Sequence, residues 1–312
     1  MPRWASADIP DQTDRTVLVT GANSGLGLAS AEALARRGAT VVLACRDPDR
    51  ADVARARVAA AATGPAPVVV ALDLADLASV RKAAAEVDQL VARLDVLMNN
   101  AGIMAPPLGR TADGVELQFA TNHLGHFALT GLLLPALLRA PAPRVVTTSS
   151  LMHRTGDTRW EDATDHRARY NRWTAYGRSK LANLLFVREL ARRSADAGGA
   201  LVATAAHPGY ASTHLTAASG EGRWWLLERA AGLLTAAGNG IAAQPAAAGA
   251  LPQLYAATMP NVAPGDYYGP DGPFELRGRP RCVGMTAQAR DDAAAARLWT
   301  LSEEITGVTY TW

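Results

Sequence analysis

Tyr176 and Lys180 stand four residues apart in a stretch, Tyr176-Gly177-Arg178-Ser179-Lys180, that has the composition of a helix. Four residues are close to one helical turn, so both side chains lie on one face. A free phenol has a pKa of about 10 and exchanges protons poorly at neutral pH. We expect the ammonium to favour the phenolate and to lower that pKa towards the working range. The pair is a candidate proton donor and activator, and the alternative is an ordinary solvated helix face.

A glycine-rich loop follows the first apolar run of the chain. Residues 16–20 (Thr-Val-Leu-Val-Thr) predict a buried strand, and a helix-like stretch follows residue 27. Glycines let the backbone approach a phosphate, and a helix N-terminus offers free N–H groups and a positive dipole end. The alternative is a plain strand-to-helix turn. The candidate contacts to a pyrophosphate are Gly21, Asn23, Ser24, Gly25, Leu26 and Gly27.

The second predicted strand, residues 40–44, ends in Cys45 and Arg46. A carboxylate at this position would accept a hydrogen bond from a ribose 2′-hydroxyl and favour NAD. The arginine fork suits a 2′-phosphate instead. The sequence therefore predicts NADP(H) rather than NAD(H), with a solvated surface arginine as the alternative.

The order of these pieces resembles the short-chain dehydrogenase/reductase family over roughly residues 14 to 215. Within the family the chain is most similar to the retinol dehydrogenase and protochlorophyllide reductase-like branch, on residues 44–47, 122–127 and 176–183. The motifs that carry the family resemblance are the loop at 20–27, Asp73-Leu74, Asn99-Asn100-Ala101-Gly102, Asn122, Ser149-Ser150, Tyr176 with Lys180, and Pro208-Gly209.

The resemblance implies further contacts to the cofactor. Asp73 would accept from the adenine amino group, although it could equally cap the following turn. A backbone bend at Pro208-Gly209 together with the Thr213 hydroxyl suits the nicotinamide amide and the pyrophosphate. The cofactor-binding residues implied beyond the glycine loop and Arg46 are Asp73, Leu74, Asn100, Ala101, Gly102, Tyr176, Lys180, Pro208, Gly209 and Thr213.

The resemblance also implies a catalytic set of Asn122, Ser150, Tyr176 and Lys180. Ser150, favoured over Ser149, would hold the substrate oxygen, since a hydroxyl can donate to an oxygen that gains negative charge. Tyr176 would supply the proton, Lys180 would hold the nicotinamide ribose, and Asn122 would help relay protons from water.

His123 and His126 follow Asn122 closely in the same predicted helix. No carboxylate completes a metal-binding set around them. We interpret both as packing or surface histidines, and we expect no metal.

Apolar runs alternate with helix-like stretches along the chain, which predicts an α/β fold. We expect a Rossmann-type doubly wound parallel sheet of about seven strands with helices on both faces, in a single domain. Its cofactor half covers about 14–150 and its catalytic and substrate-lid half about 151–312. One long helix is predicted over 115–139, and the seventh strand over 266–270.

Aromatic residues mark two candidate substrate-facing segments. Trp160, Tyr170 and Trp173 lie between Ser150 and Tyr176, where they line a pocket or anchor a surface loop. Further along, the region that forms the substrate lid in the family contains Trp224 and Trp225. Adjacent residues of a helix face different ways, so we expect one of this pair to meet substrate.

Composition narrows the class of protein. The 312 residues carry a net charge of +2 with scattered arginines, which argues against nucleic-acid binding. The longest apolar run, 127–138, is too short for a bilayer span, so we expect no stable membrane insertion and a cytoplasmic protein. Two cysteines far apart in sequence fit a reducing compartment. A homo-oligomer is compatible with this interpretation.

These observations predict an NADP(H)-dependent oxidoreductase that interconverts a carbonyl and an alcohol on a hydrophobic small molecule. Retinoids, steroids and aromatic polyketides all fit that description. Two alternatives remain at this point: an NADP-binding regulator or sensor without turnover, and a double-bond reductase similar to protochlorophyllide reductase.

Overall fold

The computed structural model describes residues 4–165, 169–210 and 244–312. Within them, eight strands form one sheet. The strands are β1 Thr16–Thr20, β2 Thr40–Cys45, β3 Val68–Ala71, β4 Val96–Asn99, β5 Arg144–Thr148, β6 Val202–Ala206, β7 Tyr267–Pro270 and β8 Pro280–Cys282. Their order is β3-β2-β1-β4-β5-β6-β7-β8. The pairs from β3 through β7 are parallel, and β8 runs antiparallel to β7.

Helices connect the strands and cover both faces of the sheet. The helices are α1 Gly25–Ala35, α2 Pro48–Ala61, α3 Leu77–Leu90, α4 over 117–132, α5 Leu134–Leu138, α6 Arg172–Asp196, α7 Ala246–Gly249, α8 Leu251–Thr258 and α9 Asp292–Thr306. Several begin at a capping side chain: Asp47, Asp76 and Asn171 each accept hydrogen bonds from first-turn N–H groups of α2, α3 and α6.

The hydrophobic core lies in two clusters, one on each face of the sheet. Leu18 packs in one cluster, and its neighbours Val17 and Val19 pack in the other, as the alternation of side chains along a strand requires. The first cluster includes α3, α4, α6 and α9, and the second includes α1, α2 and α8. The doubly wound α/β fold is confirmed. Because the strand order reverses between β1 and β4, a crevice opens at their carboxyl ends.

The structure adds one short strand to the predicted sheet and interrupts one predicted helix. The sheet has eight strands rather than about seven, because the three-residue β8 adds an antiparallel edge. The predicted helix over 115–139 is interrupted at Leu133, whose φ and ψ are −91° and 0°. Pro135 explains the break, since its ring excludes the carbonyl four residues earlier from a continuous helix.

Candidate active site

A cavity of about 500 Å³ lies at the carboxyl ends of β1, β2, β3 and β4. Twelve of the residues predicted to bind a cofactor line it: Gly21, Asn23, Ser24, Gly25, Leu26, Gly27, Arg46, Asp73, Leu74, Asn100, Ala101 and Gly102. It is also lined by residues that the sequence analysis did not single out: Asp47, Arg50, Leu72, Ile103 and Thr121. The structure therefore brings together the pieces that are dispersed along the first 121 residues.

The glycine loop is packed too closely for side chains at its turning point. A Cβ on Gly27 would lie 2.4 Å from the Gly21 carbonyl oxygen and 2.6 Å from Asn100 Nδ2. Gly21 itself has a φ of 65°, which favours glycine. α1 starts at Gly25 and points its first N–H groups towards the loop. The backbone of this cradle is open to a phosphate, and the predicted contact stays a prediction.

Thr20 connects the glycine loop to the loop after β4. Its Oγ1 accepts hydrogen bonds from the backbone N–H groups of Asn100 and Ala101, both at 2.9 Å. In return Asn100 Nδ2 donates to the Thr20 carbonyl at 2.8 Å. Two walls of the cavity are thereby held at a fixed distance.

His126 is a buried residue that joins α4 to the end of β1. Its Nδ1 lies 3.0 Å from the Asn122 carbonyl, which can only accept, so Nδ1 carries the proton. Its Nε2 then accepts from Thr20 Oγ1 at 2.9 Å. Burial lowers the pKa of His126 to about 4, so the ring is neutral at physiological pH. Both His126 and His123 are buried, so the surface alternative is wrong and packing is confirmed.

The part of the cavity next to α2 is basic. Arg46 and Arg50 both line it, so Arg46 is not the only cation there. A neighbouring carboxylate, Asp47, caps α2 by accepting from the Arg50 backbone N–H at 3.1 Å. Cys45 is buried and faces the loop, where burial raises the pKa of its thiol to about 11. The sequence signal for Arg50 was its place in the first turn of a helix that opens onto the crevice.

Asp73 has a structural role in addition to its place in the cavity. Its Oδ1 accepts from the Ala75 backbone N–H at 2.9 Å, which confirms that it caps the turn after β3. Since a carboxylate can accept several hydrogen bonds, the contact to an adenine amino group stays a prediction.

The two adjacent serines differ in what they face. Ser149 is buried and donates to the Lys180 carbonyl at 2.8 Å. Ser150 is partly exposed and caps the 3₁₀ helix Leu151–Thr155 by accepting from the Met152 N–H at 3.2 Å. Ser150 also opposes the rise in the pKa of the Tyr176 phenol, which indicates that the two hydroxyls are neighbours. Of the two serine hydroxyls, Ser150 has the position from which a substrate oxygen could be held.

Tyr176 and Lys180 are both buried on one face of α6. Lys180 Nζ lies 5.7 Å from the centre of the Tyr176 ring and donates to the Thr148 carbonyl at 3.1 Å. Burial raises the pKa of Tyr176 to about 12, against the opposing effect of the Ser150 hydrogen bond. The expected lowering of this pKa is therefore wrong for this structure, because desolvation is its largest cause. Burial also lowers the pKa of Lys180 to about 8.

Asn122 lies in a π-helical segment, Ala120–Leu124, within α4. Its side chain accepts from the Ile103 N–H at 2.8 Å and donates to the Ile103 carbonyl and to Ser179 Oγ. An added Cβ on Gly102 would lie 3.1 Å from Asn122 Oδ1 and 3.4 Å from Lys180 Nζ. Asn122 and Lys180 thus reach the end of the cavity at Gly102, although neither is part of its lining, and Ser150 and Tyr176 also lie outside that lining.

The segment after Ser150 packs directly on the backbone of α6. An added Cβ on Gly177 would lie 2.5 Å from Thr155 Oγ1 and 2.8 Å from the Met152 carbonyl oxygen, so only glycine permits this contact. Beside it, Arg178 pairs with Asp157 and Asp162, both at 2.8 Å. These contacts set the spacing between Ser150 and the face of α6 that carries Tyr176 and Lys180.

The aromatic residues of this segment have separate roles. Trp160 is 1% exposed and stacks near Phe119. The Tyr170 hydroxyl donates to the Pro106 carbonyl at 2.9 Å. Both therefore anchor the segment, whereas Trp173 is 48% exposed.

Pro208 and Gly209 follow β6, outside the lining of the cavity. Thr213, Trp224 and Trp225 lie outside the described residues. Among the described residues, each helix is too short or too polar to traverse a lipid bilayer.

Comparisons with known proteins agree with this geometry. The family model described as short chain dehydrogenase matches residues 15–224. Human retinol dehydrogenase 14 is 40% identical over 310 residues, covering 94% of this chain and 87% of that protein. An uncharacterised protein from Mycobacterium paratuberculosis has a crystal structure with a TM-score of 0.81, 43% identity, and coverage of 99% of this chain and 100% of that one. A short chain dehydrogenase from Shigella flexneri, complexed with NADP, has 29% identity and a TM-score of 0.54 over 66% of this chain and 82% of its own.

Proposed function

The chain belongs to the short-chain dehydrogenase family of oxidoreductases, and from that premise we propose an NADP(H)-dependent enzyme that interconverts a carbonyl and an alcohol on a hydrophobic small molecule. The observation that carries this proposal is the position of Lys180 and Asn122 against Gly102, at the end of the cavity lined by the glycine loop, with Tyr176 beside Lys180 on one face of α6. A proton donor and an ammonium are thereby assembled next to a dinucleotide-sized crevice.

The residues suit reduction of a carbonyl. When bound, the nicotinamide would supply the hydride. The Ser150 hydroxyl would donate to the substrate oxygen as negative charge develops there. With a pKa raised to about 12, the Tyr176 phenol holds its proton at neutral pH and can pass it to that oxygen. In the oxidative direction the same groups would act in reverse.

Lys180 and Asn122 would support the proton donor. Lys180 has three N–H donors and uses one on the Thr148 carbonyl, which leaves two for the hydroxyls of the nicotinamide ribose. Asn122 holds the Ile103 backbone beside Gly102 through both polar atoms of its amide. Its part in a proton relay would use its remaining acceptor capacity towards water.

The cofactor assignment follows from charge around the adenosine end of the cavity. Arg46 and Arg50 present two guanidinium groups there, while Asp47 is engaged as a helix cap. Guanidinium forks bind phosphate more readily than they bind a ribose hydroxyl. The related Shigella flexneri dehydrogenase complexed with NADP supports the same choice.

The substrate class rests on the relatives. Retinol dehydrogenases 11 to 14 from mammals match the chain at 34–44% identity. Their names indicate a long apolar alcohol or aldehyde, and steroids and polyketide-like aromatics share that character. We therefore propose a hydrophobic carbonyl compound as the substrate.

The test is NADPH oxidation with retinaldehyde, a steroid ketone and an aromatic polyketide-like ketone. Tyr176→Phe should leave NADPH affinity nearly unchanged and cut turnover by about 100-fold or more, the usual effect of losing a general acid. Tyr255→Phe, which removes a surface hydroxyl bonded to Asn261, is the matched control. Full turnover in Tyr176→Phe would refute the role of the phenol, and a wild type without NADPH binding would refute the proposed function.

A further inference from the structure

The hairpin loop between β7 and β8, residues 271–279, packs against the turn that follows β6. It is closed by hydrogen bonds from Asp271 N to the Arg279 carbonyl at 2.8 Å and from Gly272 N to the Arg277 carbonyl at 3.0 Å. Phe274 and Glu275 within it have φ angles of 54° and 59°. Two consecutive non-glycine residues in the left-handed region are retained only where surrounding contacts over-determine them.

The contacts that hold this loop converge on the carboxylate of Glu275. Its Oε2 lies 3.1 Å from His207 Nε2, and its Oε1 lies 3.3 Å from an Arg154 guanidinium nitrogen. The Glu275 side chain is 19% exposed, so the carboxylate is mostly shielded from water. Arg154 supplies the opposite charge that such a carboxylate requires.

His207 bridges Glu275 to the turn that follows β6, because each of its two ring nitrogens bonds to one of them. Its Nδ1 accepts from the Gly209 backbone N–H at 3.2 Å, so the ring proton resides on Nε2 and is donated to Glu275. Burial lowers the pKa of His207 to about 3, which keeps this neutral tautomer at physiological pH. The next amide, Tyr210 N–H, donates to the Leu276 carbonyl of the same loop at 2.7 Å.

Arg154 connects the Glu275 carboxylate to the segment that follows Ser150. It lies in the 3₁₀ helix Leu151–Thr155, which begins directly after Ser150. Glu275 therefore contacts, through one carboxylate, the segment that carries the proposed oxygen-holding serine and the histidine that fixes the Pro208-Gly209 turn.

We propose that Glu275 is a positioning residue that fixes the Pro208-Gly209 turn, and with it the nicotinamide half of the cofactor, relative to Ser150. The part concerning the cofactor rests on the proposed function. The part concerning the turn rests on the contacts of Glu275 and His207 alone. Loss of the carboxylate should loosen the turn and weaken the nicotinamide half of the cofactor site, while the adenosine half near Arg46 keeps its affinity.

Glu275→Gly tests this with little loss of overall stability, because glycine relieves the left-handed conformation while it removes the carboxylate. Asp14→Gly is the matched control: Asp14 has a φ of 62° in an exposed turn before β1, so it undergoes the same backbone change far from the site. Glu275→Gln is the conservative variant, since its amide oxygen can still accept from His207 Nε2.

The first measurement is hydrogen exchange of the Gly209 and Tyr210 amides, which needs no cofactor. Exchange should accelerate in Glu275→Gly and stay at the wild-type rate in Asp14→Gly. The second measurement compares the affinities for NADPH and for 2′,5′-ADP, which lacks the nicotinamide half. Glu275→Gly should weaken NADPH by about tenfold and leave 2′,5′-ADP unchanged, and Glu275→Gln should restore most of the NADPH affinity.

Unchanged exchange at Gly209 and Tyr210 in Glu275→Gly would overturn the proposal, whether or not the protein binds NADPH. An equal loss for NADPH and 2′,5′-ADP would also overturn it, since that result indicates a general disturbance. A wild type that binds neither nucleotide would refute the proposed function, and the exchange measurement would still decide the role of Glu275 in the turn.

Discussion

Replacing Arg46 and Arg50 by alanine tests how the protein selects its nucleotide. Arg46 follows β2, Arg50 lies in the first turn of α2, and both line the same part of the cavity. Both side chains are exposed, so the substitutions should leave folding intact. The change removes positive charge only where the adenosine ribose is proposed to bind.

The expected magnitude follows from the chemistry of these contacts. A hydrogen bond to a charged partner contributes about 1.5–3 kcal/mol, and solvent exposure of both guanidinium groups favours the lower end. About 1.4 kcal/mol corresponds to tenfold in Kd. Each single substitution should therefore weaken NADPH binding roughly tenfold and the double substitution roughly 100-fold, while NADH, without a 2′-phosphate, changes little.

The assay is titration of nucleotide fluorescence with wild type, both single variants and the double variant. Arg55→Ala is the matched control, because Arg55 lies on the same helix and pairs with Asp52 at the surface, outside the cavity lining. Added salt should weaken NADPH binding more than NADH binding, since exposed charges are screened. Equal wild-type affinities for the two nucleotides, or an unchanged affinity ratio in the double variant, would refute the reasoning.

Two further predictions concern the catalytic face of α6. In the wild type the rate should fall as pH rises through about 8, because the ammonium form of Lys180 is present below that pKa and lost above it. In Lys180→Arg the maximal kcat/KM should be lower and this alkaline limb should disappear, since arginine stays protonated up to about pH 12. If the substitution leaves the pH profile of kcat/KM unchanged, Lys180 has no part in the pH dependence. Gly177→Ala should force the Met152–Thr155 backbone away from α6 and cut kcat by about 100-fold with NADPH affinity retained. Gly284→Ala, where an added Cβ meets nothing within 4 Å, is its control, and a normal kcat in Gly177→Ala would contradict the packing argument.

Much of the site could be predicted because its pieces are local in sequence. The apolar runs that become β1, β2 and β4 end at the residues that line the cavity. The spacing of the glycines in the loop after β1 predicts the turn that it forms. The pairing of Tyr176 with Lys180 follows from helical spacing alone. The family pattern favours Ser150 over Ser149, and the structure adds that the Ser149 hydroxyl is engaged by the Lys180 carbonyl.

The remainder depends on contacts between distant parts of the chain. His126 meets Thr20 across 106 positions, and Glu275 meets His207 across 68, so neither partner could be found from spacing. The predicted direction of the Tyr176 pKa is wrong, because it depends on burial, which the sequence does not reveal. The strand β8 was missed because three residues beginning with a proline carry no pattern.

The π-helical segment Ala120–Leu124 makes the length of α4 a fixed quantity. Each residue of a helix advances by about 100° and 1.5 Å. Deleting Gly125, which directly follows this segment, would turn His126 and the rest of the helix by about 100° relative to Asn122. Asn122 could not then keep Ile103 while His126 keeps Thr20. Gaps in alignments with relatives should accordingly fall in surface loops such as 62–67, and residues 117–132 should tolerate exchange of side chains but no change in number.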